Sequence, residues 1–459
     1  MKYKSLAYIF TALSLLLSLL ASCGGEQKND KASGSGAEEV VFVMNNAAEP
    51  KSLDPHKVSG VPEHRIYEAF FQGLVTYNPK TAHAVPGAAE SWSNEGPVYT
   101  MKLRKDLVWS DGVPITAETV RDSWLRGLNP ETASPYAWFP AMFIKGAEAY
   151  NKGEAGIESV AIEAVDPHTF RFETVGELPY VVDALAHYAF GIVPLHAIEK
   201  YGNDWTKPEN IVGNGPFVLT EWSPQEIIVG EKNDKFWNKD HVYIDRIEIL
   251  PIEDANTAFN MYENGEMDWN TGVPTEQFDS LRGRDDFYVS SQLATYYYIF
   301  NNSRPPFDDM RVRKALAMTM GREDIANKVM GQGQVPAYAM VPPIDGYDGI
   351  AKTPEDVEMA KALLAEAGYP DGEGFPTITI LYNTSEGHKK VAEFVQQRWD
   401  EVLGIKVELE NQEWKTFLQS RTDHNFDIAR GGWVGDYLDP NTFLDMFVSG
   451  GGVNNADYR

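Results

Sequence analysis

Helix and strand patterns alternate in the second half of the chain, and this alternation limits its fold strongly. A helix is predicted from an N-cap at Thr353 to Gly368, because apolar residues recur there every three or four positions and a glycine follows them. Residues 377–382 then alternate as a strand, Ser385 begins a second helix, and residues 405–409 alternate as another strand. A strand, a helix and a strand in this order predict a βαβ unit, so this part of the chain is expected to be α/β.

The sequence FDIARGGWVGDYLDP at residues 426–440 predicts a strand that ends in a polar turn. The glycine pair at 431–432 is expected to break the strand and to place Trp433 and Asp436 in the turn. Ligands of α/β sheets bind outside the carboxyl ends of strands, and residues 383–388 follow another such end. A cation, an aromatic ring and a carboxylate in this position predict a site for the charged end of a ligand.

Residues 1–22 are predicted to be a secretory signal peptide. Two early lysines precede an apolar stretch of about 15 residues, which is too short to span a membrane comfortably, and small residues precede Cys23. The arrangement resembles the lipobox of bacterial lipoproteins, which implies a lipid anchor at Cys23 made of several acyl chains. An ordinary signal peptide with an incidental cysteine is the alternative. Residues 23–39 are then the lipid anchor and a flexible polar tether.

Length and composition limit the classes of function. A chain of 459 residues is too long for one core and is expected to form two or three domains. Lys and Arg number 40 against 67 Asp and Glu, and the net charge of -27 argues against nucleic-acid binding. The single cysteine and the nine histidines show no metal-ligand spacing, and no nucleotide-binding loop or serine nucleophile motif occurs. No metal site, cofactor or catalytic residue is therefore predicted.

Several long motifs identify a family. They are PGAAESW at 86–92, LRKDLVWSDGVPITAE at 103–118, NPETASPYAWF at 129–139, NIVGNGPF at 210–217, TYYYIFNN at 295–302 and LYNTSEGHKK at 381–390. Together they resemble the cluster-five extracytoplasmic solute-binding proteins, which serve peptide and nickel importers. The motif at 129–139 is similar to that of the oligopeptide-binding members. The resemblance extends from Val40 to Arg459.

The resemblance implies an α/β fold of the class II periplasmic-binding-protein type, in which two lobes close like a clam, with an additional α/β domain. Lobe I is expected to be discontinuous, formed by residues 40–71 and 196–290. The extra domain is expected at 72–195 and lobe II at 291–459. Relatives continue beyond the residue that matches Arg459 and return a final segment to lobe I, so we expect a C-terminally truncated chain.

The same resemblance implies which residues bind the charged ends of a peptide. Asp436, in a G-W-x-x-D-Y motif, matches the acid that pairs with the α-ammonium group of the ligand. An unpaired partner in a closed cleft costs on the order of 3–5 kcal/mol. His388, Arg421 and Arg430 match residues that meet the ligand carboxylate. An exposed turn or a helix cap stays open as the alternative for Asp436, and ion pairs with nearby aspartates stay open for the cations.

Aromatic and backbone groups complete the implied site. Trp414 and Trp433 match pocket walls for peptide side chains, and Tyr136 matches a tyrosine that reaches the ligand from the extra domain. Packing in a core is the alternative for these three residues. Main-chain groups of Gly432 on one side, and of the segment from Ser59 to Val61 on the other, are expected to pair with an extended peptide.

The predicted function is that of a lipid-anchored, extracytoplasmic and monomeric receptor that binds oligopeptides and delivers them to the permease of an ABC importer. A narrower ligand remains open, such as a dipeptide, a signalling peptide, a nickel chelate or a sugar. An enzyme that uses paired carboxylates is the second alternative, but no two carboxylates stand at a known catalytic spacing. An adhesin or chaperone on the same fold is the third.

Overall fold

The computed structural model describes residues 39–344, 346–347 and 352–459. The predicted signal peptide, the predicted lipidation site Cys23 and all but the last residue of the predicted tether lie outside these ranges. Within them, no helix combines the length and the apolar character that crossing a bilayer requires.

The strands are the framework of the fold. They are β1 Val41–Asn45, β2 Val75–Tyr77, β3 Ala84–Pro86, β4 Ala89–Glu95, β5 Val98–Leu103, β6 Ile162–Asp166, β7 Thr169–Glu173, β8 Phe217–Ser223, β9 Ile227–Lys232, β10 Arg246–Leu250, β11 Ala294–Phe300, β12 Ile378–Asn383, β13 Val407–Gln412 and β14 Ile428–Val434.

Helices connect and cover these strands. They are α1 Val61–Phe70, α2 Ala117–Leu128, α3 Trp138–Phe143, α4 Ala147–Asn151, α5 Val181–Ala184, α6 Leu195–Tyr201, α7 Ala255–Glu263, α8 Phe278–Leu281, α9 Met310–Ala317, α10 Arg322–Asp324 with a π-helical continuation Ile325–Met330, α11 Val357–Glu366, α12 Glu386–Leu403, α13 Trp414–Thr422 and α14 Asn441–Leu444.

Three four-stranded sheets organise the described residues. Sheet 1 has the order β1-β10-β9-β8, so a strand from the start of the chain pairs in parallel with β10, about 200 residues later. Sheet 2, with the order β4-β5-β7-β6, is antiparallel and comes from one continuous part of the chain. Sheet 3 has the order β11-β14-β12-β13 and is mixed. The short pair β2-β3 stands apart from them.

Sheet 3 contains the predicted βαβ unit. Strands β12 and β13 pair in parallel and α12 connects them, which confirms this prediction. Alternate residues of β12, Ile378 and Ile380, are almost fully buried, as expected for a strand covered by helices. The predicted N-cap at Thr353 is wrong. Asp356 caps α11 instead, because its carboxylate accepts the backbone N–H of Met359.

Two large apolar cores hold these layers. The first lies between sheets 1 and 2 and includes Trp109, Trp124 and Trp205, which are fully buried. The second packs α9, α11 and α12 against sheet 3 around Trp399. Burying an aromatic side chain of this size contributes on the order of 2–3 kcal/mol. The cores therefore fix the sheets whose strand ends carry the predicted site residues.

Candidate ligand-binding site

Strand β14 carries the centre of the predicted site. The prediction that the glycine pair breaks this strand is wrong, because β14 continues through both glycines to Val434 and includes Trp433. The reason is local packing. A Cβ at Gly431 would lie 2.5 Å from the ring of Tyr297 on β11, so glycine lets that ring lie against the strand. Asp436 lies just beyond the end of β14, as predicted.

Groups from distant parts of the chain hold Asp436. The hydroxyl of Tyr136 donates to its carboxylate at 3.2 Å from Oδ2 and 3.4 Å from Oδ1. The hydroxyl of Tyr77 donates to its backbone carbonyl at 2.9 Å, and its N–H donates to Oγ1 of Thr442 at 3.0 Å. Nε2 of His187 lies 3.5 Å from Oδ1. With a side chain only 9% exposed, Asp436 is neither in an exposed turn nor a helix cap.

The surroundings of Asp436 are electrostatically unfavourable for its carboxylate. Burial raises its pKa well above the usual range, Asp445 raises it further, and the Tyr136 hydrogen bond opposes both. Burial also lowers the pKa of His187 well below its usual range, so this ring is neutral. Its Nδ1 accepts the N–H of Ala189, which leaves the proton on the nitrogen facing Asp436. Among the described residues, the groups that hold this carboxylate are neutral donors.

Two of the predicted cations, Arg430 and His388, lie together near the carboxyl end of β12. Nη1 of Arg430, on β14, lies 3.4 Å from Oδ1 of Asn383 at the end of β12. The Arg430 guanidinium lies over the ring of Tyr296, 5.2 Å from its centroid, and the His388 ring is 5.5 Å from the same ring. Burial lowers the pKa of His388 well below its usual range, and the charge of Arg430 lowers it further.

The third predicted cation, Arg421, is on α13. Its guanidinium lies over the ring of Phe417, 5.6 Å from the centroid, and burial lowers its pKa. The nearby aspartates do not pair with it: Asp423 accepts a hydrogen bond from Gln419, and Asp427 accepts the N–H of Thr379. Nε of Arg421 and Nε of Arg430 are buried and have no hydrogen-bond partner within the described part of the chain. Two guanidinium groups there have unused donors.

The predicted aromatic residues contact groups around Asp436 and at the start of α1. The rings of Trp433 and Tyr136 stack with centroids 6.4 Å apart and an interplanar angle of 7°. The indole N–H of Trp433 donates to Thr442 at 3.2 Å. The indole N–H of Trp414 donates to Oε1 of Glu63 on α1 at 3.2 Å, so this residue joins sheet 3 to the start of α1.

The backbone groups predicted to pair with a peptide belong to two separate elements, β14 and the start of α1. Gly432 pairs with Tyr296 on β11, but on its other side β14 pairs with β12 only at Ile428 and Ala429. Among the described strands, none pairs with that edge of β14 beyond Ala429. The segment Ser59–Val61 leads into α1, and the N–H of Gly60 donates to the hydroxyl of Tyr188 at 3.2 Å.

Sequence reasoning missed the residues that hold the predicted ones. These are Tyr77, His187 and Thr442 around Asp436, and Glu63 beside Trp414. A signal existed for His187, since a single histidine in the apolar stretch ALAHYAF indicates a buried imidazole. No comparable signal marks Tyr77 or Thr442. The His, Cys, Asp and Glu side chains of the described residues form no group of three or more that could hold a metal ion.

Known proteins share this sequence and this fold. Residues 83–455 match the model of the bacterial extracellular solute-binding proteins, family 5. The periplasmic oligopeptide-binding protein OppA of Escherichia coli is 42% identical over 437 residues, which are 92% of this chain and 80% of that protein. The crystal structure of Haemophilus influenzae OppA in complex with RPPGFSPFR has a TM-score of 0.88 at 38% identity, covering 92% of this chain and 85% of that chain.

A third relative has been solved in two forms. The structure of the murein tripeptide binding protein MppA of Escherichia coli has a TM-score of 0.87 at 38% identity, and its unliganded open form has a TM-score of 0.61 at 37% identity. Each alignment covers 92% of this chain and 84% of the other. The predicted α/β fold of the periplasmic binding proteins is thereby confirmed. This chain belongs to the family-5 bacterial extracellular solute-binding proteins, which bind solutes and are not enzymes, as its sequence predicted.

Proposed function

We propose that this chain is a lipid-anchored extracytoplasmic receptor that closes two lobes over an extended oligopeptide and delivers it to the permease of an ABC importer. Lobe I comprises residues 40–71 and 196–290, the extra domain residues 72–195 and lobe II residues 291–459. The anchor is the lipidated Cys23, and the receptor works as a monomer. The lipobox resemblance supports the anchor, and the names of the relatives OppA and MppA support the peptide ligand.

One observation carries the proposal: β14 and the helix before it hold an acid and two cations that no described side chain of opposite charge pairs with. Asp436 is a buried carboxylate held by neutral donors at one end, and Arg421 and Arg430 have unused guanidinium donors at the other. A peptide carries an ammonium group at one end and a carboxylate at the other. Such a zwitterion satisfies both ends of the site at once.

Strand β14 also favours an extended ligand. Its edge beyond Ala429 has N–H and C=O groups that no described strand pairs with, so a peptide can add there as a further strand. Arg430 and Asp436 are six residues apart, and six extended residues span at most about 20 Å. A peptide that runs along this edge therefore has up to about six residues between the two charged groups.

Contacts between the proposed lobes support closure. Trp414 in lobe II donates to Glu63 in lobe I, and Asp436 in lobe II accepts from Tyr77 and Tyr136 of the extra domain. The comparison with MppA also supports closure, because the unliganded open form of MppA has a lower TM-score to this chain than the other MppA structure has. We infer that this arrangement is the closed one, in which water is excluded and the charged contacts to the ligand are strong.

The test is isothermal titration calorimetry of the full folded chain with tri- to hexa-alanine peptides and their N-acetylated forms. Asp436→Asn is expected to weaken binding by more than about 100-fold, because it leaves the peptide ammonium buried without a counter-charge. N-acetylation should weaken binding to the unchanged protein as much. Asp423→Asn, at an exposed aspartate of the same lobe, is the matched control and should bind normally. Undiminished affinity in both experiments would refute the proposal.

A further inference from the structure

Glu63, the third residue of α1, is a buried acid that no charged side chain pairs with among the described residues. It is 2% exposed. Its Oε1 accepts two hydrogen bonds, from the backbone N–H of Lys51 at 2.8 Å and from the indole N–H of Trp414 at 3.2 Å. Its Oε2 is buried and has no hydrogen-bond partner in the described residues. A buried, charged carboxylate with one unsatisfied oxygen is more unfavourable than the uncharged, protonated carboxyl group.

The same contact encloses Gly60. A Cβ built on Gly60 would lie 2.8 Å from Oε2 of Glu63 and 2.9 Å from Cζ2 of Trp414. Both distances are shorter than the contacts that real Cβ atoms make. Gly60 also has a φ of 135°, which favours glycine. The Trp414 ring therefore lies directly over the Cα of Gly60. This is the segment whose main chain we propose to pair with the peptide.

Trp414 and Glu63 are 351 residues apart and belong to the two proposed lobes. Any movement that separates the lobes removes the indole from Glu63 and lets water reach the carboxyl group. Two other groups face Glu63 and do not come from lobe II: the ammonium of Lys51 in lobe I, which favours the carboxylate, and the hydroxyl of Tyr188 in the extra domain, which senses the charge of Glu63. The N–H of Gly60 donates to this hydroxyl, so Tyr188 stays beside α1. The contact with Trp414 is thus the part that depends on closure.

We propose that Glu63 is a positioning residue for peptide capture: its protonated carboxyl group holds Trp414 over Gly60 in the closed cleft, so that closure takes up one proton. This inference rests on the proposed function, since it requires closure over a peptide. Glu63 itself touches no ligand in the proposal. It acts through Trp414, a predicted pocket wall, and through Gly60.

The direction of the pH dependence follows from burial. Burial raises the pKa of Glu63 from its ordinary value of 4.5 to about 7 in the closed protein. In the open protein, water brings this pKa back toward 4.5. Between pH 4.5 and about 7, the closed state binds a proton on Glu63 that the open state lacks. Closure and peptide affinity therefore weaken as the pH rises, by up to tenfold per pH unit. Below about 4.5 both states are protonated, and above about 7 the loss is complete.

Glu63→Gln tests this inference, because glutamine keeps the acceptor for Trp414 and Lys51 but cannot titrate. Calorimetry of both proteins with tetra-alanine at pH 5 to 8 is expected to show similar affinity at pH 5. At pH 8 the variant should bind at least tenfold more tightly. Asp436 titrates in both proteins alike, so the ratio of their affinities isolates Glu63. Glu68→Gln, at an exposed acid of the same helix, is the control and should follow the unchanged protein.

A second measurement needs no variant. Titration at pH 6 in buffers of different ionisation enthalpy counts the protons that binding takes up, and close to one is expected for the unchanged protein. The Glu63→Gln protein should take up about one proton fewer. Parallel pH profiles, or equal proton uptake in the two proteins, would overturn the role of Glu63 while leaving peptide binding intact. If the unchanged protein binds no peptide at all, the proposed function itself is refuted, and this inference with it.

Discussion

The two ends of the proposed site differ in how their charged groups are held. At the acidic end, Asp436 receives hydrogen bonds from Tyr136 and Tyr77, and the neutral ring of His187 faces it. All three lie between residues 72 and 195, in the proposed extra domain. At the basic end, Arg421, Arg430 and His388 are all carried by sheet 3 and its helices, and each guanidinium lies mainly against an aromatic ring.

This difference indicates different tasks for the two ends. The carboxylate at the acidic end has one position, because donors from another part of the chain fix its orientation. The two arginines at the basic end have long side chains and unused donors, and they start from different elements, α13 and β14. We infer that the amino end of every peptide meets the same partner, whereas the carboxylate of peptides of different length meets different cations. The predictions below test this contrast.

The largest expected effect concerns the basic end. Arg421→Gln and Arg430→Gln should each weaken binding of tetra-alanine by less than about tenfold, because one cation can replace the other. The double variant should lose about 30-fold or more, since a buried peptide carboxylate then keeps only neutral donors and His388, whose pKa is lowered. Calorimetry at pH 7 measures all three.

A matched control keeps this experiment specific. Arg282→Gln removes a cation that is 62% exposed and paired with Asp279, and it should leave binding unchanged. C-terminal amidation of the peptide should weaken binding less than N-acetylation does. If one arginine alone costs as much as the pair, or if amidation costs as much as acetylation, the contrast between a fixed and an adaptable end is wrong.

Local patterns in the sequence are sufficient to predict part of the fold and some of the candidate residues. The βαβ unit of sheet 3 was predictable because apolar periodicity and caps are properties of adjacent residues, and Ser385 does begin α12. The family motifs supplied the candidate residues, which the structure brings to one region. The glycine pair of β14 was misread because its role depends on Tyr297, a residue of another strand. A close cross-strand approach leaves no mark in the local sequence.

The partners of the candidate residues were not predictable for the same reason. Tyr77 and Asp436 are 359 residues apart, and nothing near either residue specifies the other. Glu63 lies in the first turn of a helix, a position where acids are common, so its place in the sequence does not single it out. Its burial results from the packing of Trp414, Gly60 and the preceding segment, which only the tertiary structure shows.

A second, smaller effect concerns closure at the acidic end. The pKa of Asp436 is raised in the closed arrangement, whereas water keeps it near its ordinary value of 3.8 in the open one. Its contribution to closure is therefore greatest below about 3.8 and is lost as the pH rises through the raised value. Asp436→Asn should shift the peptide-free protein at pH 8 toward the closed arrangement by about 1–2 kcal/mol, and less at pH 4. Small-angle X-ray scattering of the peptide-free proteins from pH 4 to 8 measures this as a smaller radius of gyration, with Asp423→Asn as the control. A variant no more compact than the unchanged protein at pH 8 would contradict the prediction.

The smallest effect separates the two tyrosines at the acidic end. Tyr136 donates to the carboxylate of Asp436 and Tyr77 to its backbone carbonyl, so only the first lowers the pKa of that carboxyl. Tyr136→Phe should weaken peptide binding about fivefold, near the 1 kcal/mol that one ordinary hydrogen bond contributes, because the bond of 3.2 Å is long. It should also raise the pH below which binding is lost, since a less stabilised carboxylate takes up its proton at higher pH.

Tyr77→Phe is the matched variant: it should weaken binding less and leave that pH unchanged. Calorimetry of both variants between pH 4 and 8 checks this, and equal shifts in the two would mean that Tyr136 acts on the position of Asp436 rather than on its charge.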